Sequence, residues 1–404
     1  MGHDSTRRLL ASGASVLFDL HMADVKAVAR TGGGAGQKAP CGVQVKVEAI
    51  ERNARAVSAA VGSDVDLIAV VKADGYGHGV VRSAQAALRG GASALAVGRL
   101  DEAASLRAAG ITAEIVVLAP FLTGLDRVQR SIELDVTPSL SSEQDFDWMG
   151  RRRSGTPVNV QLSVDTGLAR EGVAWDSSPA HWLGLARANG VRVTDVWSHL
   201  ADGSNPTAEH SLRQVARFRL FREQWCTAIG PSERRPRFHI ANSSATLRAP
   251  SLRFDRVRVG LALYAGARTL GPSARSVEAA LSMSAPLVGI RSIQAGTPVG
   301  YGGTWVARKA TRIGLVAAGY RDGLPRVADG VRLAFRGRRV RVIGRLSMDQ
   351  LTIDLGTKGH AEIGDPVTLI GRDGLIDVTA EDWADRSATI TWEVLMGVGS
   401  AASR

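Results

Sequence analysis

Cysteine is nearly absent from this chain. Two thiols in 404 residues, Cys41 and Cys226, are too few for a disulfide framework, and they show no metal-ligand spacing. Aromatic residues are also scarce, at 5%, which bears on the formal net charge of +11. Arginines scattered among Ala, Gly and Val, with few aromatics between them, make solvated faces rather than a nucleic-acid surface, and the short run Arg151-Arg152-Arg153 does not change that. Long apolar runs are missing as well. Pieces such as Ser15-Val16-Leu17-Phe18 are too short and interrupted for a membrane span or a secretory core, so neither is expected and the cytoplasm is the expected home. Lysine is the most informative scarcity. Lys72 is the only one between Lys46 and Lys309, in a chain whose positive charge is otherwise almost all arginine.

What is present begins at that lysine. Lys72 ends an apolar run and is followed by Ala73-Asp74-Gly75-Tyr76-Gly77-His78-Gly79. Arginine can supply charge, but only lysine can lose its proton and attack an aldehyde. The glycines, tyrosine and histidine after it read as a cradle for a phosphate and a ring rather than as a helix. At 45% hydrophobic and 22% charged, the chain has a globular composition, and its length suits one barrel plus a smaller partner.

Three segments are expected: an extension at 1–42, a barrel at 43–277 and a β-rich domain at 278–404. The first contains the Gly-rich stretch Thr31 to Gly36, shows little periodicity and is expected to be disordered. Strand-like runs follow near 65–72, 93–98, 114–119, 135–139, 157–165, 193–199, 237–241 and 256–260, separated by helical segments. Eight such units predict an α/β fold, a (β/α)8 barrel, and functional residues at the C-terminal ends of its strands. Lys72, Asp165 and His199 end strands one, five and six. Asn242 and Ser243 follow the seventh, and Arg258 and Gly260 lie on or after the eighth. Arg256 shares that strand with Arg258, and one of the two is expected to face the interior while the other packs outward. Beyond residue 278, short alternating runs predict strands, closed by a short helix near 391–397.

Six motifs in order carry a resemblance. They are Val71 to Gly79, Asp165-Thr166-Gly167, His239-Ile240-Ala241-Asn242-Ser243, Gly300-Tyr301-Gly302-Gly303-Thr304, Gly319-Tyr320-Arg321-Asp322-Gly323 and Ser347-Met348-Asp349-Gln350. Together they resemble the fold-type III pyridoxal-phosphate enzymes, and among them the alanine racemase family, from about Val43 to about Val398. The resemblance implies pyridoxal 5'-phosphate on Lys72 and no metal. It makes Lys72 and Tyr301 the two acid/base groups that racemisation needs, one on each face of the α-carbon. His199 and Arg258 would lower the phenol's pKa, and Arg258 would face the pyridine nitrogen. Tyr76, Asn242, Ser243, Gly260, Leu261 and Trp392 would border the phosphate, while Arg170 and the amide of Met348 would meet the substrate carboxylate. Tyr301 would come from a second subunit, which implies a homodimer with shared sites and an amino-acid substrate.

Taken alone, Tyr301 between glycines reads as turn punctuation, Asp165 as a turn cap, and His78 and His239 as satisfied core or turn residues. The chain also departs from the family. Ser163 stands where many relatives carry a carbamylated lysine that orients the arginine, so Arg170 must be held in another way. Trp392 replaces a tyrosine near the phosphate and the entrance, and the usual C-terminal tail is missing. A racemase for another amino acid, or a cofactor-binding protein without catalysis, therefore stand as alternatives. A decarboxylase of the same barrel class is disfavoured.

Overall fold

The computed structural model describes residues 41–402 apart from 120–123, 152–156, 232, 267–269 and 271–275. Up to residue 40, the expected extension lies outside the described residues. Strand β1 (Gly42–Val45) is followed by β2 (Asp66–Val70), β3 (Ala94–Val97), β4 (Glu114–Val117), β5 (Thr137–Leu140) and β6 (Val158–Asp165). The two-residue β7 (Val173–Ala174) leans on β6, and β8 (Val191–Trp197), β9 (Arg237–His239) and β10 (Arg256–Val259) complete the first half.

Eight of these strands pair in parallel in the order β10-β2-β3-β4-β5-β6-β8-β9, with Val257 opposite Leu67 and Ile68 opposite Ala94. Backbone bonds from Asp255 to Phe238 and from Arg258 to Ala241, both 3.0 Å, close the ring between β10 and β9. Each of the eight expected runs is a barrel strand. Both faces of a parallel strand are covered, one by the barrel interior and one by helices, so these runs read as continuous apolar stretches. All of Ala94–Val97 is buried. The helix Val47–Val61 shows the outer layer's pattern: it buries Ala49, Ile50, Asn53, Ala54, Val57 and Val61, one stripe at helical spacing.

The second half is antiparallel. It holds β11 (Leu281–Ile293), the small ribbon β12 (Pro298–Val299) and β13 (Trp305–Val306), then β14 (Thr311–Val316), β15 (Arg332–Phe335) and β16 (Arg338–Val342). Strands β17 (Leu351–Gly356), β18 (Pro366–Asp373) and β19 (Ile376–Val378) follow. The sheet order is β1-β11-β14-β17-β16-β15-β18-β19, and a further β11–β18 pairing curls it into a barrel. Strand β1 departs from the expected division. Residues 43–45 were expected with the (β/α)8 barrel, yet Val43 pairs with Met283 and Val45 with Leu281 in the second sheet. Alternation reveals a half-buried strand, but not its partner.

The last helix runs Thr391–Ala402, beyond the expected 391–397. Two glycines let it continue in close contact with other backbone. A Cβ on Gly397 would lie 2.6 Å from Gly323 O, and one on Gly399 would lie 2.1 Å from Gly77 O. Among the described residues no helix is long and apolar enough to cross a membrane.

Candidate active site

At the C-terminal end of β2 the chain leaves Lys72 and enters an unusual turn. Ala73, Asp74, Gly75 and Tyr76 all adopt left-handed backbone, with φ of 52°, 51°, 62° and 55°. Non-glycine residues pay about 1–2 kcal/mol each for this conformation, so the turn must be held. Glu102 holds one end by accepting the Ala73 N–H at 2.5 Å and the Gly98 and Arg99 N–H groups at 2.8 and 3.1 Å. Asp74 accepts the Val80 N–H at 2.7 Å. His78 Nδ1 lies 3.1 and 3.0 Å from the carbonyls of Gly75 and Tyr76, which makes His78 the turn residue expected from the sequence. Beneath, the buried Tyr264 ring stacks 5.0 Å from Tyr76 and 4.7 Å from His78, and its hydroxyl donates to Val70 O at 3.1 Å.

Burial lowers the pKa of the Lys72 ammonium, helped by Arg170 and Arg258, while Glu102 and Glu171 act in the opposite direction. Across the barrel mouth, Arg258 donates to Ser198 O at 2.6 Å and sits 2.6 Å from His239 Nδ1 and 3.1 Å from His199 Nδ1. Its guanidinium also lies 4.6 Å over the Trp197 ring. Burial, then the charges of Arg258, Arg170 and Lys72, push His199 down to about 3. His239 falls well below its ordinary value, by burial first and then its arginine neighbours. Both imidazoles are therefore neutral, with Nδ1 accepting from Arg258 and the proton on Nε2. Arg258, pushed down to about 9 by burial and then Arg170, stays protonated at neutral pH.

Arg256 and Arg258 do not divide between the two faces of β10 as the sequence suggests. Both arginines of β10 are buried and point into the barrel, because residues two apart share a strand face. Arg256 bonds Glu114 at 3.0 Å and Asp195 at 2.9 Å deeper in the barrel, with Arg237 on the same two carboxylates. His239, read as a core residue, is one, yet it also touches Arg258.

Ser243 and Gly260 come together as the barrel pattern implied. Ser243 Oγ accepts N–H groups from Gly260 at 3.1 Å and Ala262 at 3.2 Å, and Leu261 opens the short helix between them. A Cβ on Gly260 would meet Tyr76 Oη at 2.5 Å, so the hydroxyl approaches backbone that only glycine leaves open. Asn242 caps the helix Ser243–Arg248 through the Ala245 N–H at 3.1 Å. Asp165 accepts the N–H groups of Gly167, Leu168 and Ala169 at 2.8, 3.0 and 3.1 Å, the turn cap expected of it. Arg170, just beyond, forms a two-pronged bond with Glu171, with Nη2 to Oε1 at 2.5 Å and Nε to Oε2.

Three candidates lie in the second half of the chain. Tyr301 and Met348 are exposed, at 62% and 52%, and Trp392 is 37% exposed in the first turn of the last helix. Among the described residues no hydrogen bond or ion pair joins Tyr301 to the cluster around Lys72. Met348 O accepts from the Arg321 N–H at 2.9 Å, which locks the 347–349 loop against the 319–323 turn.

Sequence reading missed several supports. Buried Gln214 accepts the Ala201 N–H at 2.9 Å and donates to His199 O at 2.9 Å and Thr166 Oγ1 at 3.3 Å, tying together the loops after β6 and β8. Glu102, Glu171 and Tyr264 were equally unseen. Only Tyr264 left a signal, as one of four tyrosines in the chain and four residues beyond Gly260.

A model described as the alanine racemase N-terminal domain matches residues 45–268, and one described as the alanine racemase C-terminal domain matches 280–404. An alanine racemase of Synechocystis is 36% identical over 361 residues, 88% of this chain and 95% of that one. The solved alanine racemase of Streptomyces coelicolor superposes with a TM-score of 0.81 at 32% identity, covering 90% of this chain and 96% of that one. That of Bartonella henselae, solved with covalently bound pyridoxal phosphate, gives 0.79 at 25% identity and covers 90% and 98%.

Proposed function

The chain belongs to the alanine racemase family, and from that premise we propose that it interconverts L- and D-alanine with pyridoxal phosphate, using Lys72 and Tyr301 as its two bases. One observation carries the reading. A lysine whose pKa is pushed down stands at the mouth of the barrel, on the same turn as Tyr76, whose hydroxyl meets Gly260. The donor set fits the cofactor: an amine able to attack an aldehyde, then two hydroxyls and glycine-opened amides suited to a dianion. Tyr76, Ser243 and the amides of Gly260 and Leu261 would hold the phosphate, with Asn242 keeping Ser243 in place and Trp392 at the entrance. Arg258 would meet the pyridine nitrogen as a permanent donor, since two neutral histidines accept its other N–H groups.

When bound, pyridoxal phosphate withdraws electrons from the substrate's α-carbon and acidifies its C–H bond. Lys72 then accepts or returns the α-proton on one face, while the Tyr301 phenol does so on the other. His199 and Arg258 set the charge beside that phenol. Arg170 and the Met348 amide orient the substrate carboxylate. Tyr301 is exposed in the single chain, which supports a homodimer in which each copy completes the other's site. Such an enzyme would work in the cytoplasm and supply D-alanine for the cell wall.

Loss of α-deuterium from a panel of 2-deuterated L-amino acids, followed by proton NMR, tests this reading alongside Lys72→Ala and Tyr301→Phe. Washout and D-enantiomer from alanine, abolished by Lys72→Ala, are expected. Faster exchange with another amino acid would move the substrate assignment to that one. Absence of exchange with every member, despite bound cofactor, would overturn catalysis.

A further inference from the structure

Arg170 sits on a segment fixed at both ends. Before it, the Asp165 turn ends at Ala169 with φ of 58°. After it, Gly172 has φ of 123° and lies so close to β6 that a Cβ would come within 2.5 Å of Asp165 N. The side chain itself has no such support. It is 55% exposed, and its hydrogen bonds among the described residues all go to Glu171. A long, exposed arginine samples many rotamers unless something fixes its planar fork. The neighbouring strand offers no anchor, because Ser163 is buried, short and uncharged.

Glu171 supplies one. Its side chain is only 15% exposed, so its carboxylate is screened less than exposed partners such as Glu209 and Asp349. Both its oxygens engage Arg170, which is the fork-on-fork arrangement that fixes orientation as well as distance. Its charge also reaches beyond that pair. The charges of Arg170 and Arg258 lower the Lys72 pKa while those of Glu102 and Glu171 raise it, and at Arg258 the charge of Glu171 opposes that of Arg170. Glu102 is already committed to three backbone N–H groups. Glu171 is thus the carboxylate that both pairs a cation of the cluster and offsets the other two.

We propose that Glu171 is a positioning residue of this active site, clamping the Arg170 guanidinium from behind and supplying the counter-charge for the Lys72, Arg170 and Arg258 cluster. Arg170's role toward a substrate carboxylate rests on the racemase reading; the clamp and the charge balance do not. Glu171 acts through its neighbour, the one residue it hydrogen-bonds among the described residues.

The test compares wild type, Glu171→Gln and Glu171→Asp in two measurements, with a thermal melt to show that each variant is folded. The first is the separation of KM from kcat for L-alanine. Glu171→Gln keeps the shape but loses the two-pronged charged bond, and KM is expected to rise about tenfold with a smaller change in kcat. The second uses the cofactor-stripped protein and follows the rate at which Lys72 reacts with acetic anhydride as pH is varied, read from the peptide mass. Removing a nearby carboxylate destabilises the ammonium, so the Glu171→Gln midpoint is expected to move to lower pH. Glu171→Asp keeps the charge one methylene further back, and is expected to restore the Lys72 midpoint while leaving KM raised. A Glu171→Gln protein with wild-type KM and wild-type Lys72 midpoint would overturn the proposal. If the wild-type chain turns over no amino acid, the racemase reading fails, and the Lys72 midpoint alone decides for or against the charge balance.

Discussion

Glu102→Gln is the most direct probe of how Lys72 is held. The turn that follows Lys72 contains three non-glycine residues in left-handed backbone, Ala73, Asp74 and Tyr76. At about 1–2 kcal/mol each, they represent about 3–6 kcal/mol of local strain. One Glu102 oxygen takes the Ala73 N–H and the other takes Gly98 and Arg99. Glutamine retains one acceptor oxygen, and its NH2 must face an N–H on the other side. The less costly arrangement keeps the pair at Gly98 and Arg99 and abandons Ala73, the residue next to Lys72. Loss of one charge-assisted bond costs about 1.5–3 kcal/mol, a large fraction of the strain it opposes. Urea unfolding of the cofactor-stripped protein is therefore expected to show about 2 kcal/mol less stability with an unchanged m-value. Turnover should fall as well, because the released residue adjoins Lys72, the amine proposed as a base. An unchanged midpoint together with unchanged turnover would refute this reasoning and assign the turn to Asp74 and the backbone bonds.

Other outcomes follow from the same structure. Gly399→Ala places a methyl 2.1 Å from Gly77 O, backbone against backbone, and is expected to cost about 1–3 kcal/mol in urea unfolding and to weaken cofactor binding. Asn53→Ala removes bonds to Leu263 O at 3.0 Å and Glu278 O at 2.8 Å and leaves the Glu278 N–H unpaired, so a melt should show about 2–3 kcal/mol of destabilisation. His78 is pushed down to about 4 by burial, against 6.5 for the free side chain. Its contribution is full above pH 6.5, where neither state binds the proton, and is lost as pH falls towards 4, because the unfolded chain then binds more protons. Unfolding free energy should drop between those values, and less steeply in His78→Gln.

The barrel was legible because parallel strands covered on both sides produce apolar runs that stand out at regular spacing. Candidate positions were legible at strand ends: Lys72, His199, Ser243 and Arg258 stand where the barrel makes its loops converge. What escaped were supports acting across the sequence. Glu102 reaches Ala73 from 29 positions away and Gln214 reaches Thr166 from 48, and neither spacing has a local signature. Glu171 adjoins Arg170 and still escaped, since a Glu beside an Arg on a loop is ordinarily a solvated pair. The inference that one of Arg256 and Arg258 faces outward failed on elementary geometry, because period two places both on one face.

Strand β1 has a consequence for how this polypeptide is assembled and dissected. It is the first described element, yet it hydrogen-bonds Leu281–Ser284 across more than two hundred intervening positions. The (β/α)8 barrel is therefore an insertion between one strand and the rest of its sheet. Such a distant pairing raises contact order, and β1, made first, stays without its partner until the whole barrel and then β11 have been synthesised. Dividing the gene near residue 278 would leave the shorter fragment with an unpaired edge along Leu281–Ser284, a template for association with other chains. A permuted fragment carrying Gly42–Val45 on a linker would cover that edge and behave as the soluble unit.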